Sequence, residues 1–255
     1  MTAEIIAIGT ELLLGDILNT NARYLSRQLA DMGISVYYQS VVGDNVDRLQ
    51  ETIENAMNRT SIIITTGGLG PTTDDLSKET IAQVLDLPLI EHEESKKRIV
   101  DFFKQRDIPM AENNLKQAYI PEGAIVLEND NGTAPGFIVK TKKNIIIVLP
   151  GPPSEMVPMF ENGVKKELKK LNEGVIFSRT LKLCGIGEST VANILQDLID
   201  NQTNPTIAPY AKDGEVHLRI TAKTNEESEA IKLIDAMEQK VADHVREYIY
   251  TTDEK

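Results

Sequence analysis

Residues 61–75, Ser-Ile-Ile-Ile-Thr-Thr-Gly-Gly-Leu-Gly-Pro-Thr-Thr-Asp-Asp, join an apolar run to a glycine-rich, acidic segment. The apolar run, bounded by turn residues, predicts a buried strand. Glycines at the end of a strand leave backbone N–H groups uncovered, so a polyanion can approach closely. Hydroxyls and carboxylates beside them suit phosphates and a metal ion. The candidate ligand-binding residues of this loop are Gly67, Gly68, Gly70, Pro71, Thr72, Thr73, Asp74 and Asp75.

Strand and helix signals alternate on both sides of this loop. Strands are predicted at 4–9, 35–43, 61–66, 124–128, 136–141 and 144–149. Helices are predicted at 20–33, 47–58, 75–85, 93–106 and 154–171, the first of them capped by Thr20 or Asn21. This order predicts an α/β fold in which helices cover both faces of a mostly parallel sheet, giving three layers. Ligands of such sheets bind beyond the carboxyl ends of the strands.

The pattern changes after Gly174. A strand at 178–184, a helix at 188–199, a hairpin of 206–212 with 215–224, a helix at 226–245 and a strand at 248–251 follow one another. This β-α-β-β-α-β order predicts a second, smaller α+β domain of the split βαβ type. We therefore predict domains at 1–172 and 175–255, with the boundary near 172–175.

Composition limits the class of protein. The chain has 255 residues, 41% of them apolar, and no apolar run approaches the ~20 residues that span a bilayer. The N-terminus lacks a basic segment and already resembles a first strand, so we expect no signal peptide. The single cysteine, Cys184, fits a reducing cytosol, and we expect it to be a small core residue. These features predict a cytoplasmic protein with no membrane partner.

The net charge of −12 argues against nucleic acid as a partner, because non-specific binding to phosphates requires many cationic contacts. Anionic small molecules stay possible, since a bound cation can reverse the field at one site.

Two other predicted strands end in polar segments, Gly9-Thr10-Glu11 and Gly43-Asp44-Asn45. In a functional interpretation, Gly9 and Thr10 face a ligand while Glu11 and Asp44 act as bases or metal ligands. In a structural interpretation, Thr10 caps the next turn and the carboxylates are exposed. Taken alone, the segments favour the structural interpretation, because isolated carboxylates in turns are common. Asn21 adds only a little to the functional interpretation, since helix starts attract such residues.

Three further loops carry small or rigid residues. The segment 131–136, with Gly132 and Thr133, is either a tight loop or a place where the backbone packs closely against a substrate. The segment 150–155 is either a rigid turn that begins a helix or a surface that contacts the substrate. Its candidate binding residues are Pro150, Gly151, Pro152 and Ser154. In the small domain, Glu188 or Ser189 either caps a helix or belongs to a lid.

Histidine chemistry is not expected, because the isolated His92, His217 and His244 form no known catalytic or zinc-binding pattern. The available groups are carboxylates, hydroxyls and backbone amides. They suit a divalent cation that polarises a phosphorus centre. Asp44, Asp75 and Glu11 would then hold the metal or orient the attacking water, and loop amides would stabilise developing charge.

Taken together, the motifs resemble the CinA (competence/damage-inducible protein) family. The matching stretches, in order, are 9–15, 19–21, 43–44, 67–75, 131–136 and 150–156. The resemblance implies a molybdopterin-binding-like domain followed by a KH-like domain. It implies an ADP-ribose pyrophosphatase that releases AMP and ribose 5-phosphate with Mg, Mn or Co, a monovalent cation being a further candidate. It also implies a homodimer, metal-binding or catalytic roles for Asp44 and Asp75, and less directly roles for Glu11 and Asp74.

Many members of that family also contain a nicotinamide mononucleotide deamidase domain, which these 255 residues do not include. Two alternatives to the hydrolase stay open. The first is a nucleotidyltransferase of molybdenum cofactor biosynthesis, which would adenylylate molybdopterin. The second is a module that binds RNA or a partner protein, although Gly185-Ile186-Gly187 lacks the Gly-x-x-Gly spacing of RNA-binding KH loops.

Overall fold

The computed structural model describes residues 1–171 and 175–254. The chain forms two units, of which the first comprises Met1–Ala30 with Ile34–Lys170. The second comprises Asp31–Gly33 and the described residues from Leu171 onward. The predicted domain boundary near 172–175 falls largely on residues 172–174, which lie outside the described residues.

The first unit alternates strands and helices. Its strands are β1 (Thr2–Ile8), β2 (Ser35–Val42), β3 (Ile62–Thr66), β4 (Leu89–Glu91), β5 (Tyr119–Pro121), β6 (Ile125–Leu127), β7 (Gly136–Lys140) and β8 (Ile145–Leu149). Its helices are α1 (Thr10–Leu14), α2 (Thr20–Asp31), α3 (Val46–Arg59), α4 (Ser77–Val84), α5 (Glu93–Gln105), α6 (Pro153–Met159) and α7 (Lys165–Lys169). A π-helical segment, Phe160–Val164, joins α6 to α7, and a 3-10 segment, Glu112–Ala118, precedes β5.

The main sheet has the strand order β2-β1-β3-β8-β7-β6. The first four strands run parallel to one another, whereas β7 and β6 are antiparallel to their neighbours. On one face, Ile6 and Ile63 pack in a cluster with Ile53 of α3 and Ile81 of α4. Alternate residues such as Ile5 are also fully buried, so both faces of the central strands are covered. The predicted α/β class is confirmed.

Some local predictions were wrong. The α4 helix begins at Ser77 rather than near Asp75, and no side chain caps it. The start of α2 is stabilised by Asn19, whose Oδ1 accepts a hydrogen bond from Ala22 N at 3.0 Å, and not by Thr20 or Asn21. The short α1 helix, the β4–β5 pair and the 3-10 segment were missed, because elements of three to seven residues carry little periodicity.

The second unit contains β9 (Val175–Cys184), α8 (Glu188–Ile194), α9 (Gln196–Asp200), β10 (Thr206–Lys212), β11 (Glu215–Thr224), α10 (Glu227–Val245) and β12 (Ile249–Glu254). The strands form an antiparallel sheet in the order β10-β11-β9-β12, and α10 packs on β9 and β11. The predicted smaller α+β domain is confirmed.

Cys184 is exposed, contrary to the core position that we predicted. It ends the alternating strand β9, whose Leu181 and Leu183 are the residues that point into the core. Within residues 1–171 and 175–254, no helix is both long enough and apolar enough to cross a bilayer.

Candidate functional site

A cleft of about 470 Å³ lies where the parallel strands of the main sheet end. It gathers residues that follow β1, β2, β3 and β8, together with the loop that leads into β7. The predicted site residues that line it are Gly9, Glu11, Asp44, Gly67, Gly68, Gly70, Pro71, Thr72, Asp74, Asp75, Thr133, Pro150, Gly151 and Pro152. Segments as far apart in the chain as Gly9 and Pro152 therefore share one cavity, as expected for the carboxyl edge of a wound sheet.

Five predicted residues lie outside the lining of this cleft: Thr10, Asn21, Thr73, Gly132 and Ser154. Asn21 instead ties two strand ends together. Its Nδ2 donates to Thr66 Oγ1 and to Gly151 O, both at 2.7 Å. Ser154 presents its carbonyl to Asn131 Nδ2 at 2.7 Å, so its known contact is made by the backbone.

Asp44 is held by Thr10. Thr10 N and Thr10 Oγ1 both donate to Asp44 Oδ2, at 2.9 and 2.8 Å. Thr10 therefore acts through the carboxylate that it orients. Because both donors use Oδ2, the other oxygen of Asp44 stays available to a ligand in the cleft.

Asp75 is held in the same way by Thr72. Thr72 N and Thr72 Oγ1 donate to Asp75 Oδ2 at 2.9 and 2.6 Å. Asp75 does not cap α4, because its carboxylate turns back to the loop. Among residues 1–171 and 175–254, Oδ1 of Asp44 and Oδ1 of Asp75 accept no hydrogen bond. The repeated Thr–Asp pair therefore presents one carboxylate oxygen to a ligand from each of two strand ends.

Glycines leave space for three carboxylates of the site. A Cβ on Gly9 would lie 2.3 Å from Glu11 Oε1, one on Gly70 would lie 2.4 Å from Asp75 Oδ2, and one on Gly132 would lie 2.3 Å from Glu155 Oε2. Each carboxylate thus lies directly over a glycine α-carbon. Any other residue there would displace the acid that the site presents.

Fewer backbone amides are available to an anion than the sequence indicated. The N–H of Gly67 donates to Leu149 O at 3.0 Å and so extends the pairing of β3 with β8. Gly132 N donates to Asn129 Oδ1 at 2.8 Å. Within the described chain, the amides of Gly68 and Gly70 make no such bond, and these two stay available to an anion.

The cleft is strongly acidic. Five carboxylates line it, those of Glu11, Asp44, Asp74, Asp75 and Glu155, and no Lys, Arg or His is among the described residues that line it. An anionic ligand therefore needs a cation beside it. Among residues 1–171 and 175–254, no three acidic, His or Cys side chains converge closely enough to bind a metal by themselves. Mg²⁺ commonly takes one or two carboxylates and completes its shell with waters and substrate phosphates, so this donor set fits such an ion.

Two polar lining residues were missed from the sequence, Glu155 and Gln117, and so were the apolar Ile8, Leu69 and Ala134. Glu155 was visible in the 150–155 segment, and in the structure it accepts a hydrogen bond from Asn129 Nδ2 at 2.7 Å. Gln117 lies in the 3-10 segment and donates from Nε2 to Leu69 O at 3.3 Å. No local motif marks Gln117, since only the tertiary fold brings it to the loop.

Lys116 stabilises the 67–75 loop through hydrogen bonds to two of its carbonyl oxygens, and Lys78 stabilises Lys116. Lys116 Nζ donates to Thr72 O at 3.2 Å and to Asp75 O at 2.6 Å. Lys78 Nζ in turn donates to Lys116 O at 2.5 Å. Lys78 is buried, and burial lowers its pKa from 10.5 to about 8.

This buried lysine gives a pH-dependent prediction. Between pH 8 and 10.5 the unfolded chain keeps the Lys78 proton while the folded chain releases it, so stability contributed by Lys78 rises with pH. The Lys78→Met variant lacks this titration. We expect the free energy of unfolding of the unsubstituted chain to rise relative to the variant across that interval, by about 3 kcal/mol. Urea unfolding of both chains at several pH values measures it, and parallel pH profiles would contradict it.

In the second unit, Glu188 begins α8 after Gly187, and no side chain caps that helix. The capping interpretation of Glu188 or Ser189 is therefore wrong.

Both units of the chain are similar to known protein domains. Residues 4–170 match the family model of the probable molybdopterin binding domain, and residues 178–251 match that of the damage-inducible protein CinA KH domain. A Clostridium acetobutylicum protein named for competence-damage induction is 56% identical over 250 residues, which are 98% of this chain and 61% of that protein. A CinA-like protein of Dictyoglomus turgidum is 53% identical over 98% of this chain and 61% of its own length.

Among solved structures, the CinA protein of Thermoplasma acidophilum, whose function its description gives as unknown, matches with a TM-score of 0.60 and 32% identity. The match covers 66% of this chain and 97% of that one. The chain spans about three fifths of the length of the curated relatives given above.

Proposed function

Because this chain belongs to the CinA family, we propose that its first unit is a divalent-metal-dependent hydrolase of nucleotide diphosphates. ADP-ribose is the substrate we propose, with AMP and ribose 5-phosphate as the products. The observation that carries the proposal is the cleft itself, in which two Thr-held aspartates, further carboxylates and free loop amides share one cavity.

The chain's own groups have complementary roles in this proposal. The free oxygens of Asp44 and Asp75 would hold the divalent cation between two strand ends. When bound, the cation neutralises the diphosphate and makes its phosphorus more electrophilic. The amides of Gly68 and Gly70 donate to phosphate oxygens as negative charge grows on them.

Hydrolysis requires a water oxygen to attack one phosphorus, while the bond from that phosphorus to the bridging oxygen breaks. The proton of the water needs an acceptor. Glu11 and Glu155 line the cleft and lie over Gly9 and Gly132, so each carboxylate is placed to accept it. We assign Glu11 as the base, because it follows the same strand end that carries Thr10.

The acidity of the cleft supports metal dependence. A diphosphate next to five carboxylates would be repelled without a bound cation. The cation is thus needed for binding as well as for chemistry.

The direct test incubates the protein with ADP-ribose and Mg²⁺, Mn²⁺ or Co²⁺ and quantifies AMP and ribose 5-phosphate. Equimolar release of both supports the proposal. Absence of cleavage with all three metals would reject it.

A second candidate is the nucleotidyltransferase that adenylylates molybdopterin. It is favoured by the match of residues 4–170 to a probable molybdopterin binding domain. ATP consumption that depends on added molybdopterin, with no cleavage of ADP-ribose, would select this candidate. We also propose that the protein is a homodimer. Light scattering measures its mass in solution, and the mass of a monomer would contradict this proposal.

A further inference from the structure

Side chains from outside the 67–75 loop hold several of its peptide units. A trans peptide is planar, so its carbonyl oxygen and its N–H point in opposite directions. The peptide bonds of this loop are trans. A side chain that binds one of these carbonyl oxygens therefore also determines where the N–H of the following residue points.

Ser77 holds the peptide between Gly67 and Gly68. Its Oγ donates to Gly67 O at 2.8 Å, and Ser77 is fully buried. Gly68 lines the cleft, whereas Ser77 does not. Because the carbonyl of this peptide faces Ser77, its N–H, which is that of Gly68, faces the side of the loop that lines the cleft.

Gln117 holds the peptide between Leu69 and Gly70 in the same way. Its Nε2 donates to Leu69 O at 3.3 Å, and the residue is 3% exposed. The N–H of Gly70 therefore points away from the 3-10 segment that contains Gln117. Within the described part of the chain, the N–H groups of Gly68 and Gly70 donate to no protein atom, so both can donate to a ligand.

A third peptide of the loop shows which partner such an N–H can have. Asn113 Nδ2 donates to Pro71 O at 3.2 Å, and the N–H of the same peptide, that of Thr72, donates to Asp75 Oδ2 at 2.9 Å. In this peptide a side chain of the 3-10 segment holds the carbonyl, and the N–H binds an anionic oxygen. The N–H groups of Gly68 and Gly70 are held in the same way and can bind anionic oxygens of a ligand.

We propose that Ser77 and Gln117 are positioning residues, which direct the N–H groups of Gly68 and Gly70 at the phosphate oxygens of the substrate. This rests on the proposed function. Each side chain acts through the peptide unit whose carbonyl it binds. Without that hydrogen bond the peptide can rotate, and the N–H loses the fixed direction that stabilises charge developing in the transition state.

Selective isotope labelling makes the two amides visible by NMR. Gly67-Gly68 is the only Gly-Gly pair in the sequence, so glycine labelled with ¹³C at the carbonyl and with ¹⁵N gives one doubly labelled amide. Leu14-Gly15 and Leu69-Gly70 are the only Leu-Gly pairs, so leucine with a ¹³C carbonyl and ¹⁵N-glycine give two. The Leu14→Ser variant removes the first of these two signals and thereby assigns the second.

The test variants are Ser77→Ala and Gln117→Met, each with a matched control. Thr80→Val removes a hydroxyl from the same helix, and that hydroxyl is buried and has no hydrogen-bond partner within the described residues. Asn114→Leu removes a side-chain amide from the same 3-10 segment, where Nδ2 donates to Ala111 O at 3.0 Å and not to the loop. Neither control residue lines the cleft.

In the free protein, we expect Ser77→Ala to shift the Gly68 amide signal and Gln117→Met to shift that of Gly70, whereas the controls shift neither. In the unsubstituted chain, both signals should move when Mg²⁺ and a methylene analogue of ADP-ribose are added. Each variant should lose the movement of its own signal. We also expect kcat for ADP-ribose to fall about ten- to a hundredfold in each variant with KM little changed, because the directed donors act on charge that develops in the transition state.

Amide signals that respond to the analogue equally in variants and controls, or that do not respond in the unsubstituted chain, would overturn the proposal. An equal fall of kcat in a variant and its matched control would also overturn it. If one variant does not fold, the other decides, since each acts on a different amide. Failure of the proposed function gives a different result, in which the unsubstituted chain releases no AMP from ADP-ribose although the free-protein signals still shift in the two variants.

Discussion

Asp75→Asn is expected to lower kcat for diphosphate hydrolysis at least about a hundredfold while leaving the fold intact. Thr72 N and Thr72 Oγ1 both donate to one oxygen of Asp75, so the substituted amide must present its oxygen to them. Its NH₂ group then takes the position of the free carboxylate oxygen. That position changes from an anionic acceptor into a donor, which repels a cation.

The matched control is Asp47→Asn. Asp47 is an exposed carboxylate in the first turn of α3 and does not line the cleft, so its loss changes the net charge equally. Turnover should be nearly unchanged in Asp47→Asn, and thermal unfolding should agree for both variants. Equal turnover in the two variants would remove Asp75 from the site.

Gly67→Ala is expected to cost about 3 kcal/mol of folding stability and most of the activity. Gly67 has a φ of +109°, and an added Cβ would lie 2.1 Å from Ile8 O. That oxygen belongs to the backbone at the end of β1, which cannot turn aside as a side chain can. Relief requires the β1 and β3 ends to separate, which would distort the cleft between them.

Gly123→Ala separates steric clash from backbone strain. Gly123 has a φ of +76°, and no atom lies within 4 Å of a Cβ added there. Only the cost of the left-handed conformation applies, about 1–2 kcal/mol. Urea unfolding of both variants, together with the hydrolysis assay, gives the comparison. Equal destabilisation of the two, with activity retained in Gly67→Ala, would contradict the packing that we describe.

The sequence predicted the sheet because its central strands are almost uninterrupted apolar runs, as in Ile62–Thr66 and Ile145–Leu149. It also predicted that the loops after these strands share one edge, since parallel strands place their carboxyl ends together. The joint lining of one cleft by Glu11, Asp44 and Asp75 follows from that topology.

The sequence did not predict how the site is held. Nothing local pairs Thr10 with Asp44, which lie 34 residues apart, or shows that Gly67 N–H is used by the sheet. Gln117 and Lys116 reach the loop through a 3-10 segment that has no clear periodicity. Gly70, which we interpreted as part of an amide cradle, also makes room for Asp75. Gly9 and Gly132 likewise make room for Glu11 and Glu155, a steric role that only the three-dimensional structure reveals.

The central claim is that this acidic cleft accepts a diphosphate only together with a divalent cation. Calorimetric titration of a non-hydrolysable methylene analogue of ADP-ribose, with Mg²⁺ and then with excess chelator, tests it most directly. We predict saturable binding with Mg²⁺ and none with chelator, and the loss of that binding in Asp75→Asn. Equal affinity with and without the cation would contradict the claim.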